Sequence, residues 1–235
     1  MLSGEQTSSL SFGEIWHFFE RQIDYPITTI RTDYFNRIDL DGYHVLIVPY
    51  GYYRLFKENT LSKVESWVRD GGKLILIGNA LRSFEGQSGF ALKYFTEAEN
   101  KKNKKEDGDT LKRVESYERD GLSSSIFGAI FKVSMDNSNP LAYGYGNEYY
   151  SLKTSNQRFA YLEGGQNVGV LKRDTEPVSG FAGFKAVDKL ENSLVFGVQR
   201  KGAGEIVYLV DNPLFRAFWE NGKLLFSNAV FIVGN

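Results

Sequence analysis

Two nearly continuous apolar runs, separated by one amphipathic segment, constrain the fold of this chain most strongly. Residues 44–50 read HVLIVPY and residues 73–78 read KLILIG. Strands that are buried on both faces have this pattern, and they occur mainly in parallel sheets covered by helices. Between the two runs, Glu58–Arg69 carries apolar residues at helical spacing and is followed by an Asp-Gly-Gly turn. The order of strand, helix and strand predicts a doubly wound α/β unit.

The remaining segments extend this interpretation towards both ends of the chain. Residues 11–23 predict an amphipathic helix that is capped by Ser11, with Glu14 three residues later, and residues 27–32 predict a strand. The second half contains β-rich segments separated by Gly, Asn and Asp turns, followed by a short and a longer helical segment. These β-rich segments are residues 129–135, 159–163, 168–172, 193–200 and 205–211. We expect the last two segments to form a hairpin.

The length of 235 residues fits one domain with an elaborate second half. We expect a βα half over residues 1–95, a charged insertion over residues 96–121, and a β-rich half with C-terminal helices over residues 122–235. Both charge signs are dense in residues 99–121, which favours a solvated loop or helix over a binding surface.

Charge and composition exclude several classes of partner and chemistry. The net charge of −1 gives no reason to expect nucleic acid as a partner. No apolar run approaches the roughly 20 residues that a membrane span needs. The chain has no cysteine, so disulfides, thiolate catalysis and thiolate metal sites are excluded. The opening residues MLSGEQTSS do not resemble a signal peptide, and they suggest a chain that starts near the end of a first strand.

The carboxyl ends of the predicted strands are where a ligand would bind in an open α/β sheet. Arg216 could hold an anion with its two-pronged guanidinium group, and Trp219 could stack on a ligand. Alternatively, Asn79, Asp211 and Asn212 simply cap the segments that follow them, and Arg216 forms an ion pair, for example with Asp211. The candidate ligand-binding residues are Glu5, Gln6, Tyr50, Tyr52, Asn79, Asp211, Asn212, Arg216 and Trp219.

Known catalytic and cofactor patterns find little support in the chain. Asn79 stands at the strand-to-helix turn where many α/β enzymes hold a nucleophile, and an amide cannot attack a carbonyl. No phosphate-binding glycine loop follows a strand. His17 and Glu20, with Glu14 one turn earlier, match part of a metal-ligand spacing. The amphipathic pattern of the helix, however, predicts that these three side chains face solvent. We therefore predict no catalytic residue, metal or cofactor.

Four stretches of the sequence resemble a known family when they are taken together. They lie at residues 2–30, 33–53, 64–81 and 207–231, and the closing DNPLFRAFW block is the most specific of them. The chain resembles the C-terminal region of M14-type zinc carboxypeptidase-like proteins of Bacteroidetes, a region similar to class I glutamine amidotransferases. The resemblance implies a flavodoxin-like, doubly wound sheet with a β-rich second half. It implies a cysteine at the turn after the matching strand, where this chain has Asn79.

The resemblance also implies a setting for the chain. The catalytic zinc domain of the parent proteins would be the partner, and the location would be periplasmic or extracellular. The leading hypothesis is a non-catalytic accessory domain. The alternatives are a stand-alone binder of a small molecule or glycan in the strand-end crevice, and a hydrolase that uses Glu5 or Asp211 as a base on water. Association of the chain with further copies of itself is left open.

Overall fold

The computed structural model describes residues 1–93, residue 95 and residues 114–234. The helices are α1 Ser9–His17, α2 Glu58–Arg69, α3 Val114–Ser123, α4 Phe184–Leu190 and α5 Glu220–Phe231. The strands are β1 Leu2–Ser3, β2 Ile30–Arg31, β3 Val45–Val48, β4 Lys73–Ile77, β5 Ile126–Met135, β6 Glu148–Lys153, β7 Gln166–Leu171, β8 Pro177–Ala182, β9 Ser193–Lys201 and β10 Gly204–Leu209. Helix α1 continues into a π-helical turn, Phe18–Gln22, and short 3₁₀ segments cover Phe35–Arg37, Gly78–Ser83, Pro140–Ala142 and Phe215–Ala217.

One mixed sheet of eight strands organises the chain, in the order β3-β4-β10-β9-β7-β5-β6. Strands β3, β4 and β10 are parallel neighbours, and the pairs from β10 through β6 are antiparallel. Strand β8 pairs with the first half of β5, and β1 forms a short parallel pair with β2. Because the parallel strands point the same way, Tyr50, Gly78 and Asp211 follow their carboxyl ends at one edge of the sheet.

Helices cover both faces of the parallel strands, and this places the core in two layers. Along β4, Ile75 and Ile77 pack in the layer that contains α1 and α5 residues such as Ile15 and Phe226. Leu74 and Leu76 lie in the opposite layer with the apolar side of α2. All five β4 residues are buried, as the unbroken apolar run predicts.

The helical and strand predictions for the first half are largely confirmed, with corrections at α1 and β2. The bounds of α2 and β4 are those that the pattern predicts. The predicted cap at Ser11 is wrong: the helix begins at Ser9, and the hydroxyl of Ser8 accepts the bond from the Ser11 amide. The Ser11 hydroxyl instead accepts a 3.1 Å bond from the Tyr50 amide, which ties α1 to the end of β3. The predicted strand at residues 27–32 shrinks to Ile30–Arg31.

In the second half, one predicted strand does not form, and two strands of the structure were not predicted. Residues 159–163 form no strand, only an isolated bridge between Phe159 and Leu194. Strands β6 and β8 were not predicted, whereas the β9–β10 hairpin is confirmed. Most of the predicted charged insertion, residues 96–121, lies outside the described residues; its last residues belong to α3, which continues to Ser123.

In the described part of the chain, no helix has the length and apolar character that crossing a membrane requires.

Candidate functional site

The turn after β4 is the position where enzymes of this architecture place a nucleophile. In this chain the residue with a left-handed backbone at that turn is a glycine. Gly78 has a φ of 57°, in the left-handed region, and Asn79 follows it within the 3₁₀ turn. A Cβ atom on Gly78 would lie 2.6 Å from Cδ2 of Tyr50. The ring of Tyr50 therefore occupies the space into which a side chain at the turn would project.

Asn79 is held in place by a contact with the turn after β3. Its side chain is buried, and the amide nitrogen donates a 2.9 Å bond to the carbonyl oxygen of Gly51. This bond links the turns that follow β4 and β3. The sequence-based alternative of a helix cap does not describe it, because the Asn79 amide donates to a carbonyl rather than accepting from a backbone N–H.

Asp211, after β10, belongs to a buried polar network. Its carboxylate accepts a 2.9 Å bond from Nζ of Lys153 and a 2.7 Å bond from the hydroxyl of Ser151, both on β6. The ion-pair side chains are only 2% and 5% exposed. Lys153 also donates to the carbonyl of Gln157, and the Gln157 amide donates a 3.2 Å bond to the carbonyl of Gly78. The network thus connects β6, β10 and the turn after β4.

Glu14, on the inner side of α1, clamps the loop that follows β10. Its two carboxylate oxygens accept a 2.6 Å bond from the side chain of Asn212 and a 2.7 Å bond from the backbone amide of Arg216. The left-handed residues Arg216 and Ala217 follow in this loop. Burial raises the pKa of Glu14, and the two hydrogen bonds partly offset that rise.

Asn212 and Arg216 have separate roles around this clamp. The Asn212 Oδ1 accepts from the Leu214 amide at 3.0 Å and forms a local turn. The 3₁₀ turn Phe215–Ala217 that follows has no side-chain cap, so the capping alternative does not describe Asn212. The partner of Asp211 is Lys153, so the suggested Arg216–Asp211 ion pair is wrong. Arg216 has an exposed side chain, and its guanidinium lies 5.3 Å from the centre of the Phe215 ring.

The other candidate residues lie around the same strand ends but differ in exposure. Glu5 is exposed, whereas the Gln6 side chain accepts a 2.9 Å bond from the Leu55 amide. Tyr50 and Tyr52 meet edge to face at 6.2 Å, and Tyr52 is 73% exposed. Burial and a hydrogen bond with Tyr52 raise the pKa of Tyr50.

Trp219 closes the far side of this region. Its indole nitrogen is buried and forms no hydrogen bond of normal geometry with any described residue, although its proximity to the Tyr149 hydroxyl opposes the rise that burial causes in the pKa of Tyr149. Tyr149 is on β6, the strand that also carries Ser151 and Lys153. The loop from Asp211 to Trp219 therefore rests on β6 at both ends.

Several residues that sequence reasoning missed also contribute to this edge of the sheet. A cleft of about 190 Å³ lies beside the β4 turn. Its lining residues are Arg82, Glu85, Phe95, Asn156, Gln157, Arg158 and Phe159. The signal for Arg82 was available, since it lies in the turn after β4. Gln157 and its neighbours follow β6, the strand that the pattern did not reveal.

The three residues on the first helix that match part of a metal-ligand spacing do not form a site. Glu14 is buried and engaged with the loop after β10, whereas His17 and Glu20 are exposed. Within residues 1–93 and 114–234, no group of three or more His, Asp or Glu side chains could hold a metal ion.

Replacing Glu14 with alanine should lower the free energy of unfolding by about 2 kcal/mol, because the Asn212 side chain and the Arg216 amide lose a charged acceptor. Urea denaturation of both proteins measures the change, and the exposed Glu5→Ala variant should stay within about 0.5 kcal/mol of wild type. Equal losses in the two variants would mean that Glu14 does not clamp the loop.

Comparisons with known proteins bear on the fold. No protein-family model and no curated protein matches the sequence. The structure is similar to PurLQS from Thermotoga maritima, with 12% identity, a TM-score of 0.58, and coverage of 97% of this chain and 94% of that one. A protein of Parabacteroides merdae described as ThuA-like has 13% identity, a TM-score of 0.59 and coverage of 97% and 87%.

A third similar structure is a Thermoplasma acidophilum protein described as a component of GMP synthase, with 12% identity, a TM-score of 0.53 and coverage of 97% and 89%. Identities this low carry information about architecture and none about activity. Together with the parallel β3-β4-β10 centre and its helical layers, these likenesses establish a class I glutamine amidotransferase-like, flavodoxin-type α/β fold for this chain.

Proposed function

We propose that this chain is a non-catalytic domain of the amidotransferase-like fold, which acts by binding a partner. The observation that carries the proposal is the turn after β4, where Gly78 takes the left-handed conformation and Tyr50 fills the adjoining space. Covalent catalysis at such a turn needs a nucleophilic side chain that is activated by a neighbouring base. The chain has no cysteine, and its Asn79 side chain is engaged with Gly51.

The remaining polar groups of the edge favour a structural role over hydrolysis. A carboxylate that activates water needs a free oxygen and a raised pKa. Glu14 has the raised pKa, but both of its oxygens accept hydrogen bonds from the β10 loop. Asp211 is engaged by Lys153 and Ser151, and Glu5 is exposed. These contacts support the accessory proposal against a hydrolase with an unfamiliar carboxylate site.

We further propose which partner this domain binds. From the sequence resemblance, this would be the catalytic domain of an M14-type zinc carboxypeptidase-like protein, in the periplasm or outside the cell. A domain whose strand-end groups are committed to internal bonds can still present its outer surface to such a neighbour. The second candidate, a small-molecule or glycan binder, would use the cleft beside Gln157 and Arg82.

The non-catalytic part is tested with a glutaminase assay on wild type and on Asn79→Cys. We expect neither protein to release ammonia from glutamine, because the residue 79 side chain points into the Gly51 contact and Tyr50 blocks the turn. An active amidotransferase, assayed in parallel, confirms that the conditions support the reaction. Ammonia release by wild type above the no-enzyme rate would overturn this part.

Calorimetric titration with the separately expressed peptidase domain tests the partner. Saturable binding accompanied by a change in peptidase activity is the expected result. Titration without binding heat at several temperatures would reject the accessory role, and it would leave the glutaminase result unaffected.

A further inference from the structure

A groove away from the carboxyl ends of the parallel strands combines aromatic and acidic side chains. It has a volume of about 310 Å³ and is lined by Trp16, Glu20, Asp24, Tyr25, Pro26 and Ile27. The last three residues also border a cavity with His44 and Val45, where β3 begins. The groove therefore lies near the amino ends of the strands, away from Gly78 and Asp211.

Helical spacing brings the first two lining residues together. Trp16 and Glu20 are four residues apart where α1 continues into the π-helical turn, so they share one side of the helix. The indole N–H of Trp16 donates to Oε2 of Glu20, and none of the described residues donates such a bond to Oε1. Asp24, just beyond the turn, has a φ of 49°, and this left-handed residue redirects the chain into the wall formed by Tyr25 and Pro26.

Both aromatic rings of the groove are supported from behind. Trp16 stacks on Phe12 at 5.8 Å with an interplanar angle of 20°. Tyr25 packs against Phe19 at 6.1 Å and against Phe231 at 5.3 Å. Trp16 nevertheless remains 37% exposed and Tyr25 50% exposed. The rings are held in position while part of each stays open to solvent, so a ligand would not have to order them.

The charge of the lining selects the kind of ligand. The groove has two carboxylates and no basic side chain among the residues that line it. Neither Glu20 nor Asp24 forms an ion pair with any described residue, and Arg21, although adjacent in sequence to Glu20, does not line the groove. Such a surface repels anions and attracts cations.

We propose that this groove binds an organic cation that carries an alkylammonium or guanidinium group. The cation would lie against the faces of Trp16 and Tyr25, where the negative ring quadrupole attracts it. Glu20 Oε1 and the Asp24 carboxylate would accept its N–H groups. The same chemistry belongs to free amines and to a Lys or Arg side chain of a peptide, and the proposal does not depend on the accessory function.

The test is calorimetric titration at low ionic strength with butylguanidinium and with its uncharged analogue butylurea. We expect butylguanidinium to bind and butylurea to bind at least about tenfold more weakly, because cation–π attraction and charge pairing both need the positive charge. The isosteric double variant Glu20→Gln/Asp24→Asn should weaken butylguanidinium binding by about tenfold. The control variant Asp39→Asn/Asp41→Asn removes the same charge from two exposed aspartates that do not line the groove, and it should leave binding unchanged.

A comparison of N-acetyl-arginine amide with a short Arg-containing peptide identifies the source of the cation. Tighter binding of the peptide indicates a protein segment, and equal affinities indicate a free amine; both results support the groove as a cation site. Equal binding of butylguanidinium and butylurea would overturn the proposal. Equal weakening in the two double variants, or no saturable binding by wild type, would overturn it as well.

Discussion

Replacing Asp211 with alanine is expected to lower the free energy of unfolding by about 3–5 kcal/mol, since it leaves a buried ammonium group without its counter-charge. Nζ of Lys153 lies 2.9 Å from the Asp211 carboxylate, and both side chains are almost fully removed from water. The Ser151 hydroxyl would lose its acceptor as well. Urea denaturation of wild type and variant measures the loss.

Strand β6 also offers a control for this prediction. Lys132 and Glu148 form an ion pair between β5 and β6, and both side chains are 51% exposed. Removing Lys132 should cost less than about 1 kcal/mol, because solvent screens an exposed pair. In addition, Lys153→Met/Asp211→Leu should be less destabilised than Asp211→Ala alone. Equal losses for Asp211→Ala and Lys132→Ala would show that the buried network does not stabilise the fold.

The parallel centre of the sheet could be predicted from sequence because its residues obey simple burial rules. Every residue of β4 is buried between two helical layers, so the apolar run KLILI reports its environment directly. The amphipathic pattern of α2 is equally direct, with Val64 and Trp67 on the buried side and Glu58 at the start.

The two strands that the sequence did not predict, β6 and β8, do not follow these burial rules. On β6, Ser151 and Lys153 are buried, so the polar residues point inward and pair with Asp211 rather than facing water. On β8, the residues are exposed or half-buried, the strand begins at Pro177, and Gly180 within it has a φ of 87°. Neither sequence has the alternation that identifies a half-buried strand.

The candidate site could be predicted in position but not in connectivity. The strand-end rule places Asn79, Asp211 and Asn212 at one edge, and the structure puts them there. Their partners come from far along the chain: Gly51 for Asn79, Lys153 for Asp211 and Glu14 for Asn212. Such long-range pairs leave no periodic signal, so a capping role and a binding role could not be separated from sequence alone.

The second large effect is expected at Gly222, near the start of α5. A Cβ atom there would lie 1.9 Å from the carbonyl oxygen of Pro213, and backbone atoms of Pro213 are also the next nearest neighbours. We expect Gly222→Ala to lower the free energy of unfolding by about 3 kcal/mol, because either α5 or the loop after β10 must move. The intrinsic gain of about 0.5–1 kcal/mol from alanine in a helix is too small to offset this.

Replacing Gly13 with alanine provides a control that separates the steric cost of the Gly222 substitution from the effect of alanine on helical propensity. Gly13 lies within α1, and a Cβ atom there meets nothing within 4 Å, so Gly13→Ala should stabilise the protein by about 0.5–1 kcal/mol. Opposite signs for the two substitutions would place the cost of Gly222→Ala in its contact with Pro213. A gain at both positions would contradict that contact. Because Pro213 lies next to Asn212, a shift in the loop would also disturb the 2.6 Å bond from Asn212 to Glu14, which amide chemical shifts around Arg216 would report.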